Sequence, residues 1–156
     1  MRLTQHTDYA LRLLIALAVV AHRAPGTGET VTIRDVAERY GISRHHLMKV
    51  TNDLTRLGMV EGLRGRGGGV RLARPADQVS IGSVVRALEG RGDLVECFNA
   101  ATDTCLISPA CGLKGVLAQA QGAFLAVLDA HSLADVIRQP AALEALLGFR
   151  AEVRAG

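Results

Sequence analysis

Three observations predict a mainly α-helical fold for this chain. Apolar residues make up 49% of it, yet aromatics supply only 3% and Trp is absent. The core is therefore left to Leu, Val and Ala, a set that leans helical. Apolar positions recur at helical spacing in several stretches, each bounded by a capping residue, a glycine or a proline. A single pair of strand candidates interrupts them, around a glycine-rich turn. At 156 residues the chain can bury one good core, or a small domain plus an extension.

Taken in order, Thr7 is placed to cap a first helix over 8–22. Within it, 13–21 is the most apolar run of the chain, at nine residues. That is well short of the ~20 a membrane span needs, so a buried helix of a cytoplasmic protein is expected. The Pro and Gly content of 23–30 marks a loop. Thr32, with Asp35 three residues on, reads as a helix start, and Gly41 after Tyr40 as its stop. Ser43 opens another helix to Leu57, with Gly58 behind it. Two short helices joined at Gly41-Ile42-Ser43 make a helix-turn-helix.

Strand candidates at 59–63 and 70–73 flank Arg64-Gly65-Arg66-Gly67-Gly68-Gly69. This is a hairpin with a basic tip, the wing of a winged helix. Pro75 closes the unit, and Ser80 starts a helix through Glu89. A loop over 90–108 follows, in which Arg91-Gly92-Asp93 reads as a turn. Ser108-Pro109 looks like an N-cap with Pro at the first helical position. It would begin a long helix to about His131, with Cys111 in its first turn. Leu113, Val116, Leu117, Ala120, Phe124, Val127 and Leu128 recur along it at helical spacing. So long a stripe beyond a compact domain needs a cover, and a second subunit is the natural one. Ser132 and Pro140 delimit short helical pieces, and the tail after Phe149 is expected to fray. The expected division is a winged helix-turn-helix over 1–78, a connecting helix and loop over 79–108, a dimerisation helix region over 109–138 and a tail over 139–156.

Charge points to a polyanion. Residues 1–75 hold 12 Lys and Arg against 6 Asp and Glu, while 76–156 hold 6 against 9. The front half is therefore strongly basic and the back half is not. In the helix from Ser43, Leu47, Val50, Leu54 and Leu57 fall on one side and are expected to pack. His45, Lys49, Asn52 and Arg56 fall on the other. With Ser43, Arg44 and His46 near the N-terminus, that side can enter a major groove. Lys49 and Arg56 suit phosphate or guanine, and Asn52 suits adenine. Arg64 and Arg66 at the wing tip can reach the neighbouring minor groove or backbone. Any surface helix has a polar side; the basic hairpin directly after this one turns the balance toward DNA. His45 and His46 do not read as a metal pair, because adjacent helical residues diverge.

All three cysteines, Cys97, Cys105 and Cys111, fall within fifteen residues, with seven and then five residues between them. An odd count cannot be wholly consumed by intramolecular disulfides. The gaps are too wide for a C-x-x-C redox pair or an ordinary zinc knuckle. Three thiolates in one loop suit an iron–sulfur cluster. Zinc held by three thiolates and a histidine stays open as an alternative, as does a zinc-stabilised interaction module. Either site would need a fourth ligand. A thiol enzyme finds no support, since His131 lies twenty residues from Cys111 along a helix, about 30 Å away by the helical rise.

The opening Met-Arg-Leu-Thr-Gln-His-Thr-Asp-Tyr-Ala-Leu-Arg, the wing Arg-Gly-Arg-Gly-Gly-Gly-Val-Arg-Leu, the later Ile-Gly-Ser-Val-Val-Arg-Ala-Leu-Glu and the segment Cys-Leu-Ile-Ser-Pro-Ala-Cys-Gly-Leu-Lys resemble the NsrR family. These are nitric-oxide-sensing, iron–sulfur, winged-helix repressors, and the likeness runs from residue 1 to about 138. The resemblance implies a homodimer on double-stranded operator DNA, with one cluster per subunit, 4Fe–4S in the first instance. It implies Cys97, Cys105 and Cys111 as thiolate ligands and Asp8, from the partner subunit, as the fourth. By itself Asp8 would read only as a helix N-terminal acid, worth about 0.3–1 kcal/mol through the dipole. Nitric oxide would release the operator and derepress detoxification genes. The related regulators of cluster biogenesis carry a histidine three residues after the last cysteine; here Lys114 stands there. The gap between Cys97 and Cys105 is longer than is usual in the family. An iron- or redox-sensing regulator with a 2Fe–2S cluster is the alternative.

Overall fold

The computed structural model describes residues 2–63, 65, 68–90 and 93–149. Its helices are α1 (Gln5–Arg23), α2 (Ile33–Tyr40), α3 (Arg44–Arg56), α4 (Ile81–Glu89), α5 (Gly112–Asp129), α6 (Leu133–Val136) and α7 (Pro140–Leu147). Strands β1 (Val60–Leu63) and β2 (Gly69–Leu72) form the wing. The fold is thus the expected mainly helical winged helix-turn-helix followed by a long helix. No described helix is long and apolar enough to cross a membrane.

Helix α1 is the axis of the molecule. Leu13, Leu14, Ala16, Leu17, Ala18, Val19 and Val20 are all buried. A helix apolar all round in its second half must be surrounded, and α3, α4, α6, α7 and β2 all pack on it. Its start lies three residues earlier than expected. Thr4, not Thr7, is the N-cap and accepts the Thr7 amide at 3.2 Å, while Thr7 is buried inside the first turn. Glu89 at the end of α4 decides between the two threonines. It accepts the Thr4 amide at 2.8 Å and the Thr4 hydroxyl at 2.9 Å.

Helix α2 begins and ends as read, with Thr32 capping the Asp35 amide and Gly41 closing it. On α3, Leu47, Val50 and Leu54 are buried as expected, but Leu57 is 37% exposed. It sits at the C-cap, where the chain already turns toward Gly58 and the wing. β1 and β2 pair antiparallel, with Glu61 opposite Arg71 and their side chains joined at 2.6 Å. Val31 adds a bridge to Val70, with N–H···O contacts of 3.0 and 2.9 Å. Gly69 permits that approach, because a Cβ there would lie 2.7 Å from the Val31 carbonyl oxygen.

Ser80 caps α4 as expected. Paired backbone bonds, Ile81 amide to His131 carbonyl at 2.9 Å and Leu133 amide to Val79 carbonyl at 2.8 Å, tie the start of α4 to that of α6. The long helix begins later than the Ser-Pro signature suggests. Residues Ser108–Ala110 form a 3-10 turn, Cys111 is extended, and α5 starts at Gly112. Cys111 is therefore the N-cap residue rather than part of the first turn. None of α5 is buried, and Leu113, Val116 and Val127 are each 61% exposed. At the C-terminal end, Leu147 and Phe149 are buried. Arg23 at the end of α1 bonds Glu144 at 3.1 Å and the Phe149 carbonyl. The expected fraying after Phe149 lies outside the described residues, as do Arg91 and Gly92 of the expected turn.

Candidate functional site

The helix-turn-helix presents a polar face built by the periodicity of α3. Ser43, Arg44, His45, Lys49, Asn52 and Arg56 are all exposed, while the buried leucines and Val50 anchor the opposite side. The Ser43 hydroxyl does not cap the helix, and it stands at the N-terminal end where backbone amides favour an anion. Arg56 is paired with Asp53 one turn back. Arg74, at the end of the wing, donates to the Gly58 carbonyl at 3.1 and 2.9 Å and so closes the C-terminal end of α3. Arg64 and Arg66 lie outside the described residues.

His46 departs from this face. It is half-buried, with its ring 4.8 Å from that of Tyr9, edge-on, and 5.7 Å from that of His6, stacked. His6 in turn contacts Asp53 at 2.9 Å. The Arg56 hydrogen bond holds the Asp53 carboxyl below its ordinary range; burial opposes it, and the Arg56 and His6 charges add to it. His6 and Tyr9, from the start of α1, thus grip α3. No spacing rule relates His6 to Asp53, and sequence reading missed the pair.

The same turn is gripped from the other side by Glu89. Burial alone would push its carboxyl up, but hydrogen bonds from Thr7 and Thr4, with a smaller contribution from His6, bring it net below its ordinary value of 4.5. A depressed carboxylate stabilises the fold fully above its unfolded pKa and loses that contribution as pH falls through the folded one. Wild type should therefore exceed Glu89→Gln in urea midpoint at pH 7, with the gap closing below about pH 4.5. A pH-independent gap would show that the charge on Glu89 does not matter.

Glu89 is also the last residue before the cysteine-bearing segment. Cys97 lies in a 3-10 turn, Glu96–Phe98, Cys105 follows, and Cys111 heads α5. All three are half-buried and in no disulfide. Asp8 is half-exposed on α1 and paired with Arg12 at 2.8 Å. Among the described residues no three His, Cys, Asp or Glu stand together as one chain's metal-holding group. The chain thus runs into the cysteine segment from Glu89, which bonds Thr4 at the start of α1, and Asp8 and the thiols are not gathered in one chain.

Comparison with known proteins gives a family and a fold. A family model described as Rrf2, iron-dependent transcriptional regulator, matches residues 3–139. The chain is 48% identical over 150 residues to the HTH-type transcriptional regulator NsrR of Bacillus subtilis strain 168, covering 96% of this chain and 99% of that one. It is 44% identical over 150 residues to the NsrR of Shouchella clausii, covering 96% and 97%. Among solved structures, the oxidised form of Staphylococcus aureus CymR is similar with a TM-score of 0.68 and 25% identity, over 88% of this chain and 97% of that one. IscR of T. potens gives 0.67 and 25%, over 88% and 87%.

Proposed function

Because the chain belongs to the Rrf2 family of transcriptional regulators, and is a regulator rather than an enzyme, we propose that it is a homodimeric repressor that reads operator DNA and answers to nitric oxide through an iron–sulfur cluster. One observation carries this reading. The first turn of α1 is held on one side by the recognition helix and on the other by Glu89, from which the chain runs into the three-cysteine segment. Reader and sensor share one junction.

The donor set fits the group. Three thiols in no disulfide are the soft ligands that iron–sulfur clusters take, and one carboxylate makes four. Cys97, Cys105 and Cys111 of one protomer would hold it, with Asp8 of the second. A 4Fe–4S cluster bound there supplies iron open to nitric oxide, most readily where oxygen is the ligand, carboxylate being harder than thiolate. In the single chain the Asp8 carboxylate is taken up by Arg12. Asp8 shares its turn with Thr4, His6 and Thr7, so any pull on it acts on the turn that Glu89 and Asp53 hold. A change in that turn re-aims α3. A dimer reading two half-sites about 34–36 Å apart tolerates little change in spacing. The exposed face of α5 supplies the dimer contact, and Ser43, Arg44, His45, His46, Lys49, Asn52 and Arg56, with Arg64 and Arg66, the DNA contacts. On this reading 1–78 is the DNA-reading unit, 79–108 the connecting and cluster-holding segment, 109–138 the dimerising region and 139–156 the tail.

The test is operator binding by anaerobically purified, cluster-loaded protein, before and after a few equivalents of nitric oxide. Loss of binding together with loss of cluster absorbance is expected. Asp8→Ala should weaken iron retention by at least about tenfold and alter the cluster spectrum. Unchanged spectra with an unchanged nitric oxide response would remove Asp8 from the ligand set. A second reading, an iron- or redox-sensing regulator with a 2Fe–2S cluster, draws on the iron-dependence in the description of the matched family model. Binding that ignores nitric oxide but follows iron supply or oxidation would establish it instead.

A further inference from the structure

The segment between the second and third cysteines turns on one buried hydroxyl. Ser108 is 9% exposed, in a stretch where Leu106 is 95% and Ile107 63% exposed. Its backbone touches both neighbouring cysteines. The Ser108 amide donates to the Cys105 carbonyl at 3.1 Å, and its carbonyl accepts the Cys111 amide at 3.4 Å. Its hydroxyl donates to Asp103 and accepts from Lys114 Nζ at 3.2 Å. Asp103 also accepts the Cys105 amide at 3.1 Å and faces Lys114 at 3.6 Å.

Lys114 would otherwise be misplaced. It lies in the first turn of α5, where a cation opposes the helix dipole and an acid would be preferred. Its side chain is only 39% exposed, so it is not simply extended into solvent. What draws it back over the cysteine segment is the Asp103–Ser108 pair.

We infer that Asp103, Ser108 and Lys114 form a brace whose hub, Ser108, sets the backbone of Cys105 relative to that of Cys111 before any metal arrives. The brace presents these two thiols as a preformed pair, and Lys114 is its positioning cation rather than a ligand. The inference rests on the reading of the cysteines as cluster ligands only for its consequence. The brace itself is a property of the metal-free chain.

The experiment follows that distinction. Metal-free wild type, Ser108→Ala, Ser108→Thr and Lys114→Gln are alkylated anaerobically with iodoacetamide, and each cysteine is timed by peptide mass. The same four proteins are titrated with cadmium ion, and thiolate binding is read from sulfur-to-metal absorbance. Ser108→Ala and Lys114→Gln should speed alkylation of Cys105 and Cys111 several-fold and leave Cys97 unchanged. Cadmium affinity should fall about tenfold, the scale on which groups supporting a ligand act. Ser108→Thr keeps the hydroxyl and should restore both. An unchanged urea midpoint in the alanine variant would place the effect in the segment and not in the core. Wild-type alkylation rates and cadmium affinity in both disrupted variants would overturn the brace. Alkylation rates that shift as expected in a protein whose thiols take up no cadmium would keep the brace and overturn the sensor reading.

Discussion

Leu47→Ala is expected to destabilise the chain by about 3–4 kcal/mol and to abolish operator binding. Leu47 is fully buried on α3, in the same core as Leu13 and Leu14 of α1. Truncating a buried leucine removes its transfer free energy and leaves a cavity, which together cost about 3–5 kcal/mol where the surroundings cannot collapse. They can collapse little here, because α3 is held at both ends. His6 and Tyr9 grip it through Asp53 and His46, and Arg74 holds its C-terminal carbonyls. A typical domain has only about 5–15 kcal/mol in all, so α3 should loosen locally well before the chain unfolds. Lys49→Ala, two residues along and on the exposed face, is the discriminating partner. Its stability should stay within about 0.5 kcal/mol of wild type. Its operator affinity should fall about equally on all sequences, with the salt slope reduced by about 1. Urea midpoints and anisotropy titrations at several salt concentrations separate the two. If Lys49→Ala bound operator like wild type with the same salt slope, α3 would not be the reading surface.

What was legible in the sequence is what local chemistry decides. Thr32 and Gly41 bound α2 because a cap and a stop act within one turn, and the leucine spacing of α3 identified its buried side up to Leu54. The errors share a cause. Thr4 and Thr7 are equally good caps by type, and Glu89, 85 residues away in the chain, chooses between them. Ser108-Pro109 has the residues of a helix start, but the Ser108 hydroxyl is spent on Asp103 and the helix opens after Cys111. The ring contact of His46 with Tyr9 was likewise invisible, since it joins residues of two helices. The cysteine trio was plain from its count and spacing, which left iron–sulfur and zinc both open. Asp8 as a proposed fourth ligand comes only from resemblance, because beside Arg12 it looks like any i, i+4 surface pair. The stripe on α5 was legible as a pattern, and the fold buries none of it. A periodic apolar face states that a cover is needed but not where it comes from.

The contact between α4 and α5 makes the second large expectation. Gly82→Ala should destabilise the chain by about 1–2 kcal/mol and uncouple α5 from the rest. A Cβ at Gly82 would lie 2.0 Å from Asp129 Oδ1 and 2.7 Å from the Asp129 backbone nitrogen. The first clash can be relieved by turning the carboxylate, at the expense of its pairing with Arg86. The second cannot, because relieving it means moving α5. Two effects of opposite sign compete. Alanine is the better helix former by about 1 kcal/mol, while overpacking costs about 1–3 kcal/mol or more. The backbone clash should win. Asp129→Ala separates the parts: in the double variant the side-chain clash is gone and only the backbone one remains. The pair should therefore be non-additive, as residues in contact are, with part of the Gly82→Ala loss recovered. The consequence reaches beyond stability. Just past Asp129, His131 bonds back to the head of α4, and the far end of α4 carries Glu89. A displaced α5 thus alters the frame that links the cysteine segment to the first turn of α1. On the proposed function, operator affinity and its response to nitric oxide should weaken together in Gly82→Ala, more than a stability loss of that size would cause. A variant as stable as wild type, with an unaltered response, would show that α5 does not bear on the DNA-reading unit through this contact.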